Sequence, residues 1–396
     1  MRDFLPMEKR KRDAVLDLIR DTYAAHGFQE IETPAMEDIA RLTSGQGGDN
    51  EKLAYRVMKR GAELDEALAS DGELADLGLR FDLTVPLTRY YATNRASLPS
   101  VFKAIQVGPV WRAERPQKGR YRQFIQCDID IIGDASHLAE IELLQASLNA
   151  LNVLGLADAV IRVNHRELLV RLLNELGVDE AQHGSAMITI DKLDKIELAG
   201  VVAELTERQC EKVAKAFEEW FLNVDTTVVP EELAIFFDLI EDGRLRYDPT
   251  LVRGMGYYTG PIFEIDHPSS GSSIGGGGRY DGMVGRWLGT DVPAVGISLG
   301  FERVVDLVAE EDIVEEQPSI VLVLEDSSIG VMRNAFSIQR EFWARGANVR
   351  LEVKPKRMNL LLDSMAANGF DAFAVVNAAT ETADALDVRA IGQSVD

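Results

Sequence analysis

The segment richest in potential chemistry is Gln123–Ile132, QFIQCDIDII. Read as a strand, it sends alternate side chains to opposite faces. Ile125, Cys127, Ile129 and Ile131 fall on one face and require a core. Phe124, Gln126, Asp128 and Asp130 fall on the other. An aromatic plate, an amide and two carboxylates are costly to bury but well suited to a cationic, polar ligand. Immediately before the strand stands WRAERPQKGRYR, in which Arg112, Arg115, Lys118, Arg120 and Arg122 outweigh one anion, Glu114. An arginine at the mouth of such a loop, Arg112, can grip a phosphate through two parallel hydrogen bonds. The plainer role for Arg112 is a surface charge paired with Glu114. Loop and strand together suggest a site that holds a polyphosphate beside an amine.

Three further segments carry similar signals. LVRGMGYYTGPIFEI places Arg253 after two apolar residues and beside a glycine, with Tyr257 and Tyr258 following. Glycines there let backbone approach a ligand closely; a core tyrosine pair with a buried, satisfied arginine is the alternative. GGGGRYDG, residues 275–282, holds too many glycines for a stable element and fits neither the dinucleotide fingerprint nor the phosphate loop. It reads either as a flexible surface hairpin or as backbone packed beside a ligand. VGISLGFERV puts Arg303 in the first turn of a helix, which alone means little. The five histidines show no metal-ligand spacing, so no metal site is expected, and no Ser/His/Asp or Cys/His nucleophile arrangement is present. A site built from these residues works by positioning and by cancelling charge.

At 396 residues the chain has room for two or three domains. Its composition is that of a globular protein, with no apolar run of about 18 residues to span a membrane and no signal-peptide pattern at its N-terminus. Cys127 and Cys210 give neither a disulfide framework nor a metal spacing, so a reducing cytoplasm is the expected setting. A net charge of −23 excludes a general polyanion binder, although a local basic strip such as Arg112–Arg122 still allows RNA contact.

The elements that must position these residues can be read from periodicity and turn signals. Residues 8–26 form an amphipathic helix with Val15, Leu16, Ile19 and Tyr23 near one face, ended by Gly27. A strand at Gln29–Thr33 stops at Pro34. Residues 62–77 are acidic, alanine-rich and placed on the surface. In LRFDLTVPLTRYYATN, alternation puts Arg80, Asp82 and Thr84 on one side of a strand and Leu79, Phe81 and Leu83 on the other, with a helix following through Leu87, Tyr90 and Tyr91. Strands at Phe102–Trp111 and Gln123–Ile132 flank the basic loop as a long hairpin, and residues 137–154 are helical. From about 166 to 240 the pattern is helical without strong strands. Strand signals return at Tyr257–Ile265 and at Pro293–Gly300. The acidic tract AEEDIVEEQPS is the best linker, and the alternating strands and helices beyond it form a small α/β domain.

These segments together resemble the histidyl-tRNA synthetase family of class II aminoacyl-tRNA synthetases. GFQEIETPAMED resembles class II motif 1, whose helix and strand form a dimer interface and end in Pro34. VWRAERPQKGRYRQFIQCDIDIIG resembles motif 2 in its histidine-specific form, and VGISLGFERV resembles motif 3. LVRGMGYYTG and GGGGRYDG resemble the two histidine-specific signatures, and LRFDLTVPLTRY the amino-acid-binding strand. The matches run in order from Asp3 to about Val308, and the tail from 319 resembles the anticodon-binding domain more loosely.

The resemblance implies an α+β fold: an antiparallel catalytic sheet flanked by helices, with a helical insertion and a C-terminal α/β domain. It implies a catalytic domain at 1–165 and 241–312, the insertion at 166–240, a linker at 313–318 and a shortened anticodon-binding-like domain at 319–396. It also implies ATP as a substrate with Mg²⁺, no prosthetic group, histidine and tRNA(His) as partners, and a cytoplasmic homodimer. Arg112 then grips the α-phosphate, Arg303 the γ-phosphate end, and Phe124 stacks under adenine, with Glu114 and Arg120 in the same ATP set. Asp82, Thr84, Gln126, Asp130, Tyr257 and Tyr258 hold histidine, and Arg253 stabilises charge as the histidine carboxylate attacks. Gln117–Arg122 meets the tRNA acceptor end.

Gly256 stands where the family often has an aspartate, the chain begins close to the first matched residue, and it stops soon after a strand at LDVRAI, which implies reduced anticodon-end contacts. The alternative is the family's non-charging paralogue, a histidine-binding regulatory subunit of ATP phosphoribosyltransferase. Retention of Arg112, Arg253 and Arg303 favours the synthetase. An unrelated nucleotide-dependent ligase of the same fold is a third reading, opposed by the two histidine signatures.

Overall fold

Val15, Ile19 and Tyr23, at helical spacing, are fully buried along α1 (Pro6–Ala25), and Gly27 turns the chain out of it with φ +82°. The computed structural model describes residues 1–43, 52–115, 121–253, 257–309 and 317–392, apart from the side chain of Trp287. After α1 come β1 (Gln29–Ile31), β2 (Met36–Asp38), α2 (Ile39–Leu42), β3 (Arg56–Met58), α3 (Gly61–Ala69) and β4 (Ala75–Leu79). Next are α4 (Thr84–Asn94), β5 (Phe102–Trp111), β6 (Gln123–Ile132), α5 (Leu138–Val153) and β7 (Val160–His165). A helical stretch follows: α6 (Arg166–Glu175), α7 (His183–Ile190), α8 (Leu193–Arg208), α9 (Glu211–Asn223) and α10 (Glu231–Leu239). Then come β8 (Leu245–Tyr247), β9 (Pro261–Asp266), β10 (Gly275–Arg279), α11 (Asp281–Leu288), β11 (Ala294–Leu299) and α12 (Phe301–Leu307).

The principal sheet runs β1-β5-β6-β11-β10-β9-β7-β8. Its interior pairs are antiparallel, and the edge pairs β1/β5 and β7/β8 are parallel. Cys127, Ile129 and Ile131 are fully buried on one face, where α5 packs across β6 and β11. A buried ion pair fixes that helix to the sheet: Arg279 Nε on β10 donates to Glu140 Oε1 at 2.6 Å. The helices from α6 to α9 share a core through Leu169, Met187, Val201 and Phe217, which also takes in Leu251, Val252 and Ile262. They therefore pack onto the same compact unit as the sheet. β2, β4 and β3 form a separate small sheet.

The chain divides into two compact units, Met1–Arg2 with Val15–Ala309, and Asp3–Ala14 with the described residues of Glu310–Asp396. Residues 3–14, expected within the 1–165 segment, thus cluster with the C-terminal unit. The packing there is tight: a Cβ on Gly369 would lie 2.6 Å from the Met7 sulfur. This second unit holds a sheet in the order β13 (Asn348–Val353), β12 (Ser319–Leu324), β14 (Ala372–Val376), β15 (Arg389–Ala390). The first three are parallel and β15 is antiparallel. α13 (Ile329–Ala344) and α14 (Met358–Ala367) bury their apolar stripes on different sets of sheet residues. No helix among the described residues is long and apolar enough to cross a membrane.

Three local expectations need correction. GGGGR is neither a surface hairpin nor too glycine-rich to hold: it is β10, an interior strand paired to β9 and β11. Hydrogen bonds on both edges supply the stability that its side chains cannot, and its neighbours demand the glycines. A Cβ on Gly277 would lie 1.9 Å from the Gly296 carbonyl oxygen. The strand expected to run through Arg80–Thr84 stops at Leu79. Asp82 Oδ1 instead accepts from Val85 N at 3.1 Å as α4 begins, and Pro86 is tolerated in that first turn, where no helical N–H is needed. Arg80 does not join Asp82: it is buried, bonding the carbonyls of Thr33 at 2.6 Å and Pro109 at 3.0 Å. The strand expected from Tyr257 starts only at Pro261.

Candidate active site

The sheet face opposite α5 floors a cavity of about 440 Å³, within the usual range for a small-molecule site. From β6 come Phe124, Gln126 and Asp130, with Arg112 and Glu114 from the chain after β5. Asp82 and Thr84 from the start of α4, Arg253, Tyr257 and Tyr258 ahead of β9, and Arg303 from α12 line the same cavity. The described sequence candidates therefore meet in one place. Arg120, Gln117 and Gly256 lie outside the described residues.

The floor is built by register. Asp128 stands opposite Ser298 on β11, Ser298 opposite Gly276 on β10, Gly276 opposite Glu264 on β9, and Glu264 opposite Arg162 on β7. Each lies on the cavity-facing side of its strand, so a polar row crosses the sheet, interrupted at Gly276. The Arg253 guanidinium fills that interruption: a Cβ on Gly276 would sit 2.5 Å from its Cζ. The next row holds Asp130, Gly296 and Gly278. There the missing side chains admit the Asp130 carboxylate and the Tyr258 ring, at 1.9 Å and 3.1 Å from the would-be Cβ atoms of Gly296 and Gly278.

Along β6 the groups change in character. Phe124 and Asp130 are six residues apart, about 20 Å in an extended strand. Near Phe124 the groups are cationic. The Arg112 Cζ lies 5.0 Å from the Phe124 ring centroid, and its Nε donates to the Phe81 carbonyl at 3.0 Å. Arg303 donates to the Ser273 carbonyl. Glu302 accepts from Ile125 N at 3.2 Å and from the Arg2 guanidinium at 2.9 Å.

Towards Asp130 the groups are acceptors. Asp130 is 3% exposed and takes a hydrogen bond from the Tyr280 hydroxyl at 2.5 Å. Burial carries its carboxyl up to about 7, with the Tyr280 hydroxyl opposing the rise and the Asp82 charge adding to it. Asp128, also buried, is raised well above the usual carboxylate range by burial and then by Asp130, while the Ser298 hydroxyl opposes. Two carboxylates forced together in a dry floor call for a cation. Gln126 Nε2 lies 3.4 Å from Asp128 Oδ2, and its buried Oε1 has no hydrogen-bond partner among the described residues. That orphan acceptor matches a ligand N–H.

Sequence reasoning gave Asp128 no role beyond one of the two carboxylates on the ligand-suited face, and assigned none to Ser298, Tyr280, Glu264 or Glu302. Alternation did place Asp128 on the polar face, and Tyr280 belongs to the glycine signature. The Glu264 and Ser298 contacts depend on cross-strand register, which no local pattern displays.

Such a sheet, with a cavity on its face, is the class II aminoacyl-tRNA synthetase fold. A solved histidyl-tRNA synthetase from Nostoc sp. PCC 7120 superposes with TM-score 0.74 at 27% identity, covering 95% of this chain and 90% of that one. A family profile described as histidyl-tRNA synthetase matches residues 1–304. A histidine–tRNA ligase of Leifsonia xyli subsp. xyli is 51% identical across 98% of this chain and 96% of its own. The chain belongs to the histidyl-tRNA synthetase family. A Bacillus halodurans structure described as an ATP phosphoribosyltransferase regulatory subunit/histidyl-tRNA synthetase also superposes with TM-score 0.74, but at 20% identity it speaks only to the fold.

Proposed function

We infer that the chain activates histidine with ATP and passes the histidyl group to the 3′ end of tRNA(His). The observation that supports this best is that one cavity gathers both sets of groups. It holds Arg112, Arg303 and Phe124 at one end of β6 and a buried acceptor set around Asp130 at the other. Arg253 lies between them, in the Asp128 row. The paralogous regulatory reading finds no comparable support, since the 51% identical relative bears the ligase name.

In this reading Phe124 carries adenine, Arg112 holds the α-phosphate and Arg303 the γ-phosphate end, with Glu114 and Arg120 completing the ATP set. Asp82, Thr84, Gln126, Asp130, Tyr257 and Tyr258 hold the ammonium and ring of histidine. The histidine carboxylate oxygen attacks the α-phosphorus, pyrophosphate leaves with the electron pair of the broken P–O bond, and Arg253 stabilises the charge that gathers on the α-phosphate oxygens. A ribose hydroxyl of the tRNA end then attacks the histidyl carbonyl, and AMP leaves. Neither step needs a protein nucleophile. Glu114 lines the cavity beside the proposed phosphate site and would offer an oxygen donor to an Mg²⁺ ion arriving with ATP, whereas both Glu302 oxygens are already taken by Ile125 N and Arg2; the ion would neutralise phosphate charge.

The protein in this reading is a cytoplasmic homodimer joined through the Gly27–Asp38 segment. Residues 1–165 and 241–312 supply its catalytic domain, apart from residues 3–14, which cluster with the C-terminal unit; 166–240 form an insertion and 319–396 the anticodon-binding domain. The test is histidine-dependent ATP–pyrophosphate exchange, followed by charging of tRNA(His) with labelled histidine. Both reactions are expected; histidine binding with neither reaction would overturn the reading.

A further inference from the structure

We propose that Glu264 is the positioning residue for Arg253, gripping its guanidinium from the neighbouring strand while itself anchored by Arg162. The inference rests on the reading of Arg253 given above.

An arginine side chain has many rotamers, and holding one of them costs entropy. Arg253 belongs to no helix or strand: it follows Leu251 and Val252 in an irregular segment. Its backbone therefore does little to aim it, and something else must fix the charge over the floor. Two observations identify what does. Gly276 leaves a gap into which the guanidinium fits. Glu264, opposite Gly276 in the ladder, accepts from Arg253 Nη1 through Oε2. The glycine admits the guanidinium and the carboxylate directs it.

Glu264 is in turn held from its other side. Its Oε1 accepts from Arg162 Nη2, and Arg162 is the residue opposite it on β7. Arg162 also pairs with Asp248 at 2.8 Å, Asp266 at 2.6 Å and Asp194 at 3.2 Å. With three other carboxylates around it, Arg162 has one place to sit. The order of constraint is therefore Arg162, then Glu264, then Arg253, along one row of one sheet. Arg162 and Glu264 are not among the residues lining the cavity, so both act through Arg253.

The experiment is a double-mutant cycle on purified full-length protein, read by histidine-dependent ATP–pyrophosphate exchange. Glu264→Gln is expected to lower kcat about 10- to 100-fold while leaving the KM values for histidine and ATP within about 3-fold. In an Arg253→Ala background the same change should add almost nothing to the loss of kcat, because the guanidinium that Glu264 positions is gone. Losses that multiply, or a wild-type kcat in Glu264→Gln, overturn the proposal. A general structural weakening would lower the unfolding temperature and raise KM as well. If Glu264→Gln does not fold, Glu264→Asp, which keeps the charge but falls one methylene short, serves with the same outcomes. A crystal structure of the variant gives a readout independent of activity: Arg253 should leave its place over Gly276, and an unmoved Arg253 overturns the proposal. Absence of exchange in the wild type would instead reject the functional reading, while that crystallographic result still decides the role of Glu264.

Discussion

Gly296 stands opposite Asp130 across the β6–β11 ladder, and a Cβ there would lie 1.9 Å from Asp130 Oδ1. The carboxylate occupies space that any other residue would claim. Gly296→Ala should therefore displace Asp130 without disturbing the ladder hydrogen bonds. The KM for histidine in exchange is expected to rise about tenfold, ~1.4 kcal/mol, with the KM for ATP nearly unchanged. An unaltered KM for histidine would count against Asp130 as its anchor.

The buried carboxyl of Asp130 also predicts a pH dependence of stability. Its folded pKa is raised to about 7, whereas an unfolded aspartate titrates near ~3.9. Between those values the folded chain keeps a proton that the unfolded chain has released, so stability from this group falls as pH rises towards neutrality. The urea midpoint of the ligand-free protein should drop from about pH 5 to about pH 7.5 more steeply in the wild type than in Asp130→Asn. Parallel profiles would contradict the assignment. Histidine, by bringing a cation to the carboxylate, should offset the loss at neutral pH.

Arg253→Ala should separate binding from chemistry. Histidine affinity is expected to stay within a few-fold, while adenylate formation falls by a few orders of magnitude, about 3–4 kcal/mol as for loss of a preorganised charge stabiliser. Single-turnover measurement of adenylate formation is the check, and a near-normal rate would remove Arg253 from its role.

On the far side of the sheet, Glu140 is fully buried beneath Arg279. Removing one partner of a buried pair leaves the other charge uncompensated. Glu140→Ala should cost about 3–5 kcal/mol in urea unfolding. A loss below about 1 kcal/mol would mean that the remaining Arg279 bonds, to the carbonyls of Asp134 and Ser136 and to Asp281, suffice.

The sequence disclosed most where chemistry repeats locally. β5 and β6 begin and end where alternation and the basic loop placed them, because a strand with one buried face writes a period of two into its residues. The cavity-facing set of β6 followed from the same period. β10 was misread because its stability is not local: it comes from partners on both sides and from side chains of other segments that need its empty positions. Arg80 looked like a neighbour of Asp82, but an unanticipated turn buried it against Thr33 and Pro109. Glu264 was invisible for a third reason. In IFEI it is one polar residue in an alternating strand, and only the register that sets Arg162 on one side and Gly276 on the other gives it a task.

The glycines at 276, 278 and 296 have a consequence for anything designed to occupy this cavity. Resistance to an inhibitor commonly arises when a lining residue grows and crowds the compound out. Here Gly276 and Gly296 line the cavity with bare backbone, Gly278 lies opposite Gly296 in the same row, and the space over the three already belongs to Arg253, Asp130 and Tyr258. A side chain added at any of the three evicts one of the protein's own groups along with the compound. A molecule seated over these positions would leave the protein few routes of escape that do not also cost it its activity.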